Sequence, residues 1–195
     1  MLISGGLVFF LLNTVAEGIY PNYDVGTYYL SDLGAIGANT CLLWNGTLFV
    51  SGALLLVAGY SLFYTENQFR ATAVGGRASL VGVLYLLPGI GSIIVSLFPG
   101  NSSLGAAGMH SIGAFTTFAF GGVSAVYAVR LTKAPFRCFS VVLGVITLVS
   151  IPVFVYSGAS IAGLTERLIV YPFVLWALCF GAYLSGVHLG DRAAA

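Results

Sequence analysis

Long apolar runs, separated by short polar segments, make up most of this chain. Each run holds about 20 residues, the length that an α-helix needs to cross roughly 30 Å of hydrocarbon. Proline, glycine and asparagine lie at the breaks, where they favour turns or cap helices. The pattern predicts an all-α fold with six transmembrane helices. We expect them over residues 2–19, 40–63, 78–98, 104–129, 136–156 and 163–187.

The composition supports a membrane setting. Of the 195 residues, 58% are hydrophobic and 7% are charged, whereas about a quarter of the residues of a soluble domain are charged. Such a chain cannot cover a globular surface with polar groups. We therefore expect a polytopic membrane protein, with residues 1–195 forming one compact bundle surrounded by membrane lipid. The net charge of +1 argues against nucleic acid as a partner. A homo-oligomer or a subunit of a membrane complex remains open.

The charged residues are distributed unequally between the predicted loops. Six of the seven basic residues lie in the second loop, the fourth loop or the C-terminal tail: Arg70, Arg77, Arg130, Lys133, Arg137 and Arg192. Basic loops stay in the cytoplasm, and an even number of spans places both termini there as well. The prediction is a cell-membrane protein with cytoplasmic termini. Its outer face then carries Glu17, Asp24, Asp32, Glu166 and Arg167.

The first outer loop, Tyr20 to Ala38, is the longest connection that could carry chemistry. Asp24 can cap a short helix through Leu33, and Gly34 can end that helix at its C′ position. The loop is then either a lid helix at the membrane interface or a segment that points Ser31 and Asp32 into a cavity between the helices.

His110 lies about two turns inside the predicted fourth span. An ionisable group within a membrane helix suggests a functional site, because its burial without a partner is costly. The alternative is a neutral histidine that bonds a backbone carbonyl or a neighbouring helix.

Glu166 and Arg167 open the sixth span at the outer face. Arg167 could pair with Asp32 or Glu166, or hold an anionic ligand with its planar set of donors. On the first span, Asn13 and Glu17 lie four residues apart and so share one helix face. Further polar residues could extend the same cluster: Asn45, Asn101 and Tyr171.

These observations define a candidate outer site. We expect Asp32, His110, Glu166 and Arg167 to lie close together, because isolated charges near lipid are unfavourable. The candidate ligand-binding residues are Ser31, Asp32, Asn45, His110, Glu166, Arg167 and Tyr171. No cofactor is clearly implied. A zinc site with three protein ligands would need Asp32, His110 and Glu166 together, and the three cysteines show no metal-binding spacing.

Three functions are compatible with this pattern. The favoured one is an outward-facing polar pocket that binds or passes a lipid headgroup or a small molecule, without catalysis. The second is an intramembrane lipid hydrolase that uses His110 and the outer carboxylates, with or without metal; its catalytic residues cannot be assigned from the sequence. The third is a structural or accessory subunit of a membrane complex.

Short elements along nearly the whole chain resemble one known family. They are Pro21-Asn22-Tyr23, Leu30-Ser31-Asp32-Leu33-Gly34, Asn45, Phe98-Pro99, His110, Glu166-Arg167 and Tyr171-Pro172. In order and spacing they resemble the six-span membrane family filed as domain of unknown function 998, and Ser-Asp-Leu-Gly is the most specific of them. The resemblance implies a six-helix fold, with no established activity or cofactor.

A second resemblance is narrower. Membrane hydrolases related to alkaline ceramidases use a serine, an aspartate and three histidines around zinc. Ser31, Asp32 and His110 are similar to part of that set. The other histidines have no counterpart, because His188 lies at the predicted cytoplasmic end of the last span.

Overall fold

Six long helices form the computed structural model, which describes residues 1–64 and 78–193. The helices are α1 (Leu2–Ile19), α2 (Cys41–Tyr64), α3 (Ala78–Leu97), α4 (Leu104–Tyr127), α5 (Phe136–Tyr156) and α6 (Ala162–Ala193). Each contains a segment long and apolar enough to cross a membrane, and the described residues contain no strand. The predicted six-span, all-α fold is confirmed.

Three short 3₁₀ helices lie between the long ones, at Leu30–Gly34, Ala128–Arg130 and Ala159–Ile161. The second of these tightens the end of α4, which stops at Tyr127 rather than at the predicted residue 129. The last helix continues to Ala193, beyond the predicted end at residue 187. The predicted cytoplasmic residues Arg70 and Arg77 lie outside the described residues.

Consecutive helices pack side by side, and α6 returns to α1 to close a ring. A contact between α4 and α6 crosses this ring. As a result, α1, α2, α3, α4 and α6 enclose a central space, while α5 packs against α4 and α6 from outside. Only 17% of the α5 span is buried within the protein, so most of its apolar surface is left for lipid.

Glycines set the spacing between neighbouring helices. A Cβ atom on Gly52 of α2 would lie 2.9 Å from the Gly89 carbonyl oxygen of α3. Likewise, a Cβ on Gly91 would lie 2.5 Å from the Gly113 carbonyl oxygen of α4. Helices in lipid associate through close packing rather than through the hydrophobic effect, and small residues allow that approach. The ring therefore depends on glycine at these crossings.

An aromatic stack links helices in the half of the bundle that lies away from the first loop. Trp176 of α6 stacks on Tyr85 of α3 and on Phe180, with ring centroids 5.5 and 5.2 Å apart. Its indole N–H donates to the Ser140 hydroxyl of α5 at 3.0 Å. Offset aromatic pairs add stability beyond their buried area. The stack thus fixes α6 against both α3 and α5.

Replacing Gly91 with Ala should destabilise the protein, because the new Cβ would meet the Gly113 carbonyl and the Thr117 hydroxyl, both at 2.5 Å. Overpacking of this kind costs about 1–3 kcal/mol. Gly46→Ala in α2 is the matched control. Nothing lies within 4 Å of its added Cβ, so removal of a helix-interior glycine should raise stability by about 0.5–1 kcal/mol. Thermal unfolding in detergent measures both, and equal shifts would contradict the proposed crossing.

Candidate functional site

The segment between α1 and α2 folds over one end of the helical ring, and we call residues 20–40 the cap. Asp24 Oδ1 accepts hydrogen bonds from the backbone N–H groups of Gly26 at 2.7 Å and Thr27 at 3.4 Å. The Gly26 carbonyl accepts from the N–H groups of Gly163 and Leu164 at 2.9 and 3.3 Å. The cap therefore satisfies N–H groups that the first turn of α6 leaves without helical partners.

The predicted helix from Asp24 to Leu33 is replaced by a turn at Asp24 and a separate 3₁₀ helix, Leu30–Gly34. Gly34 is the last residue of that helix and does not have the left-handed conformation expected of a C′ glycine. Instead, the absence of a side chain at Gly34 allows the cap backbone to lie close to α2. A Cβ on Gly34 would lie 2.5 Å from both the Trp44 ring and Asn45 Oδ1.

Thr40, the last residue of the cap, and Asn45 of α2 hold the 3₁₀ helix in place. The Thr40 hydroxyl donates to the Leu33 carbonyl at 2.6 Å, and Asn45 Nδ2 donates to the Gly34 carbonyl at 2.9 Å. Asn45 Oδ1 is buried and has no hydrogen-bond partner among the described residues. Asn45 thus positions the backbone of the cap at Gly34, the last residue of the Ser-Asp-Leu-Gly element.

Arg167 connects α6 to α1 and to the cap. Its Nη1 donates to three backbone carbonyls, those of Val25 at 3.0 Å, Tyr28 at 3.3 Å and Gly163 at 2.9 Å. Its Nη2 forms an ion pair with Glu17 at 2.6 Å. The predicted pairing of Arg167 with Asp32 or Glu166 is wrong, because the end of α1 brings a different carboxylate to the guanidinium. Arg167 Nε is buried without a partner within the described ranges.

Tyr23 adds to this contact from the cap side. Its hydroxyl accepts from Arg167 Nη2 at 2.8 Å and donates to the Tyr29 carbonyl at 3.0 Å. Burial raises the pKa of the Tyr23 phenol, although the hydrogen bond and charge of Arg167 act in the opposite direction. The phenol therefore stays protonated at neutral pH and keeps its donor role.

Glu17 is the centre of a buried polar network. Its Oε1 accepts from Asn13 Nδ2 at 3.2 Å and from the Tyr171 hydroxyl at 3.3 Å, in addition to Arg167. The Trp44 indole N–H donates to Asn13 Oδ1 at 3.3 Å. Asn13 and Glu17 share one helix face as expected, and Tyr171 joins them. The network ties α1, α2 and α6 together.

The two remaining acidic candidates both accept hydrogen bonds from backbone N–H groups at the start of the 3₁₀ helix of the cap. Asp32 Oδ2 accepts from the Tyr29 N–H at 2.9 Å, as an N-terminal capping group does. Burial raises the pKa of the Asp32 carboxyl, and that hydrogen bond opposes the shift. From α6, the Glu166 carboxylate accepts from the Leu30 N–H.

An elongated cavity of about 80 Å³ lies inside the five-helix ring. On α6 its lining runs from Glu166 to Ala177, which corresponds to about 17 Å along the helix axis at 1.5 Å per residue. The walls are mainly apolar, with Phe9, Leu48 and Phe118 among them. The α5 helix contributes none of the described lining residues, as its position outside the ring requires.

One end of the cavity, beneath the cap, is polar. Ser31, His110 and Glu166 all line it. His110 Nδ1 lies 2.9 Å from the Phe98 carbonyl oxygen, and a carbonyl only accepts, so Nδ1 donates. The neutral ring then presents Nε2 as a lone pair. Neither Ser31 Oγ nor His110 Nε2 has a hydrogen-bond partner among the described residues, so both are available to a ligand.

The predicted candidate residues therefore have two kinds of surroundings. Ser31, His110 and Glu166 line the cavity, whereas four others hold the cap or the helices: Asp32, Asn45, Arg167 and Tyr171. Across residues 1–64 and 78–193, no group of three or more His, Cys, Asp or Glu side chains could hold a metal ion. The structure thus does not assemble Asp32, His110 and Glu166 as a zinc-ligand set.

Some residues have roles at the site that were not predicted from the sequence. Gly5 and Gly6 of α1 line the cavity; a Cβ on Gly5 would face Leu54, another lining residue, whereas a Cβ on Gly6 would meet Leu178 of α6 at 2.8 Å. Their adjacency inside an apolar helix was the available signal.

Asn101 donates to the Ile36 carbonyl at 3.1 Å and accepts from the Ile36 N–H at 2.8 Å. It therefore ties the α3–α4 loop to the cap rather than joining the Glu17 network.

Arg167→Ala should destabilise the protein, because it leaves the partly buried Glu17 carboxylate, which is 19% exposed, without its cation. Removing one partner of a fully buried pair costs on the order of 3–5 kcal/mol, so the loss here should lie at or below that range. The double variant with Glu17→Gln should recover part of this loss, since no unpaired charge remains. The recovery should be incomplete because the Val25, Tyr28 and Gly163 carbonyls still lack their donor. Thermal unfolding in detergent tests both variants, and additive losses would contradict a coupled pair.

Comparison with known proteins places the chain in a family. The model of the family described as protein of unknown function (DUF998) matches residues 3–183, which reach from α1 into α6 and include the cap, the Glu17 network and most residues that line the cavity. No curated protein and no solved structure matches the chain. The match covers most of the 195 residues, and it agrees with the six membrane-spanning helices. The chain belongs to the DUF998 family.

Proposed function

We propose that this protein binds an amphiphilic molecule, a lipid or a lipid-like small molecule, in the cavity of the five-helix ring. The polar head lies against Ser31, His110 and Glu166, and the apolar part extends along the helices. The observation that carries the proposal is the pair of unpartnered polar atoms, Ser31 Oγ and His110 Nε2, at one end of a mainly apolar cavity.

Binding sites for small molecules are typically concave, largely apolar and equipped with a few placed polar groups. Polar groups within a membrane are costly unless they find partners. Most polar side chains around the cap meet this requirement through the bonds described above. Ser31 Oγ and His110 Nε2 lack such partners although their residues line the same cavity, which supports a ligand as the missing partner.

The hydrolase alternative has one observation in its favour and one against it. Ser31, His110 and Glu166 are a hydroxyl, an imidazole and a carboxylate that line one cavity, the residue types of a serine hydrolase. In such a triad the carboxylate accepts from histidine Nδ1 and so orients the ring. Here Nδ1 bonds the Phe98 carbonyl, and Glu166 bonds the cap backbone. Binding without catalysis is therefore the better-supported function.

The proposal includes an orientation in which the protein lies in the cell membrane with the cap outside and both termini in the cytoplasm. The basic side chains Arg130, Lys133 and Arg137 are exposed at the connection between α4 and α5. The cap, with its acidic residues, connects α1 to α2. Because consecutive helices run antiparallel, this connection lies at the end of the bundle opposite the connection between α4 and α5. Retention of basic loops in the cytoplasm supports this direction.

Cysteine labelling in intact cells tests the orientation. The three natural cysteines are first replaced by serine. Ser103→Cys, at an exposed position just before α4, should react with a membrane-impermeant maleimide. Lys133→Cys, exposed in the basic connection, should react only after permeabilisation. The reverse pattern would overturn the proposed orientation.

Filling the cavity tests the binding site. Ala114 of α4 lines the cavity, so Ala114→Leu should occupy space that a ligand needs and lower its affinity at least about tenfold. Ser111→Leu on the same helix is the control, because Ser111 is exposed and a leucine there faces lipid. Native mass spectrometry of delipidated protein with dodecyl amphiphiles measures retention. Equal retention by both variants would show that the cavity is not the site.

A further inference from the structure

We infer that the head group taken by this cavity is an uncharged hydroxyl, so that the ligand is a long-chain alcohol or a lipid with a free alcohol head. The inference rests on the proposed binding function and adds the chemistry of the head group. It follows from three properties of the cavity: its charge, the hydrogen-bonding atoms at its polar end, and its small size.

The charge of the lining disfavours anionic heads. No lysine or arginine occurs among the described residues that line the cavity. Arg167 follows Glu166 in the sequence, but its guanidinium binds Glu17, Tyr23 and the cap carbonyls and does not line the cavity. Phosphate and carboxylate heads usually rely on charge-assisted bonds from such groups. Here they would instead meet the Glu166 carboxyl.

The free hydrogen-bonding atoms match a hydroxyl. His110 Nε2 offers a lone pair in the neutral ring, and Ser31 Oγ can both donate and accept. A single hydroxyl oxygen donates one hydrogen bond and accepts up to two, so it can donate to His110 and accept from Ser31. A purely apolar ligand would leave both atoms unpaired, at the cost described for buried polar groups.

An ammonium head would also find acceptors at this end of the cavity. It would, however, lose its hydration shell on entering an apolar cavity, and the burial of a charge costs far more than the burial of a hydroxyl. It also could not accept a hydrogen bond from Ser31, because an ammonium has donors alone. The alcohol therefore fits the site better than the amine.

The dimensions fit one chain. The lining extends over about 17 Å of helix length and the volume is small, about 80 Å³, which favours one chain over two. Gly5, Ala114 and Ala177 line this space with little or no side chain, and larger side chains there would reduce it. A lipid with two chains would place its second chain outside the ring.

A panel of four amphiphiles with one chain length tests the head group: dodecanol, dodecylamine, dodecanoate and dodecyl phosphate. Each is added to the purified protein in phosphatidylcholine nanodiscs, and affinity is obtained from the concentration dependence of the unfolding temperature. We expect dodecanol to bind at least about tenfold more tightly than each of the others, the effect of one additional hydrogen bond of ordinary strength.

Ser31→Ala should remove this preference by weakening dodecanol binding about tenfold, whereas Ser31→Thr keeps the hydroxyl and should retain it. Ser103→Ala is the matched control, because Ser103 is exposed and its side chain forms no capping bond. Unfolding without ligand shows whether each variant is folded. If Ser31→Ala does not fold, the threonine variant and the four-compound ranking still decide the question.

The outcomes separate the two proposals. If no dodecyl compound binds the unmodified protein, the proposed binding function fails. If the compounds bind and Ala114→Leu abolishes that binding, but dodecylamine or an anionic compound binds most tightly, only the head-group inference fails. The same conclusion follows if Ser31→Ala leaves the preference for dodecanol unchanged.

Discussion

The ion pair between Arg167 and Glu17 is the contact on which the cap end of the molecule depends. A charge near hydrocarbon is stable only with close partners, and here each partner brings a different part of the chain. Glu17 lies in the last turn of α1, Arg167 lies in the second turn of α6, and the guanidinium also binds cap carbonyls at Val25 and Tyr28. Irregular backbone at the edge of a membrane needs such partners. The Arg167 side chain thus donates to cap carbonyls and also links α1 to α6, the first and last helices of the ring.

The neighbouring residue, Glu166, serves a different surface. Consecutive residues on an α-helix point about 100° apart, so Arg167 can face α1 and the cap while Glu166 faces the space inside the ring. Glu166 also bonds the Leu30 N–H, next to Ser31 in the cap. The structural ion pair and the polar end of the cavity are therefore adjacent but separate.

The cavity itself arises from the way the helices associate. Close glycine crossings bring α2, α3 and α4 together, and the contact of α4 with α6 excludes α5 from the ring. On α1, Gly5 lines the enclosed space without a side chain to fill it, and Gly6 allows close approach to Leu178 of α6. Helices in lipid associate through close packing, so a space left open among them is unfavourable unless something fills it. The proposed ligand would fill this space and pair with the polar atoms at its end.

The sequence by itself determined the six spans, most of their ends and the family. These follow from local properties: hydrocarbon thickness sets the length of an apolar run, and proline, glycine or asparagine marks its end. It also placed Asn13 and Glu17 on one face, because that relation lies within one helix. Only the tertiary structure decided which acid Arg167 binds, since several carboxylates are predicted at the same membrane face and the choice depends on how distant helices pack. It likewise separated His110 and Ser31, which face the cavity, from Asp32, which caps the backbone, because the direction of a side chain depends on the path of the cap across the ring.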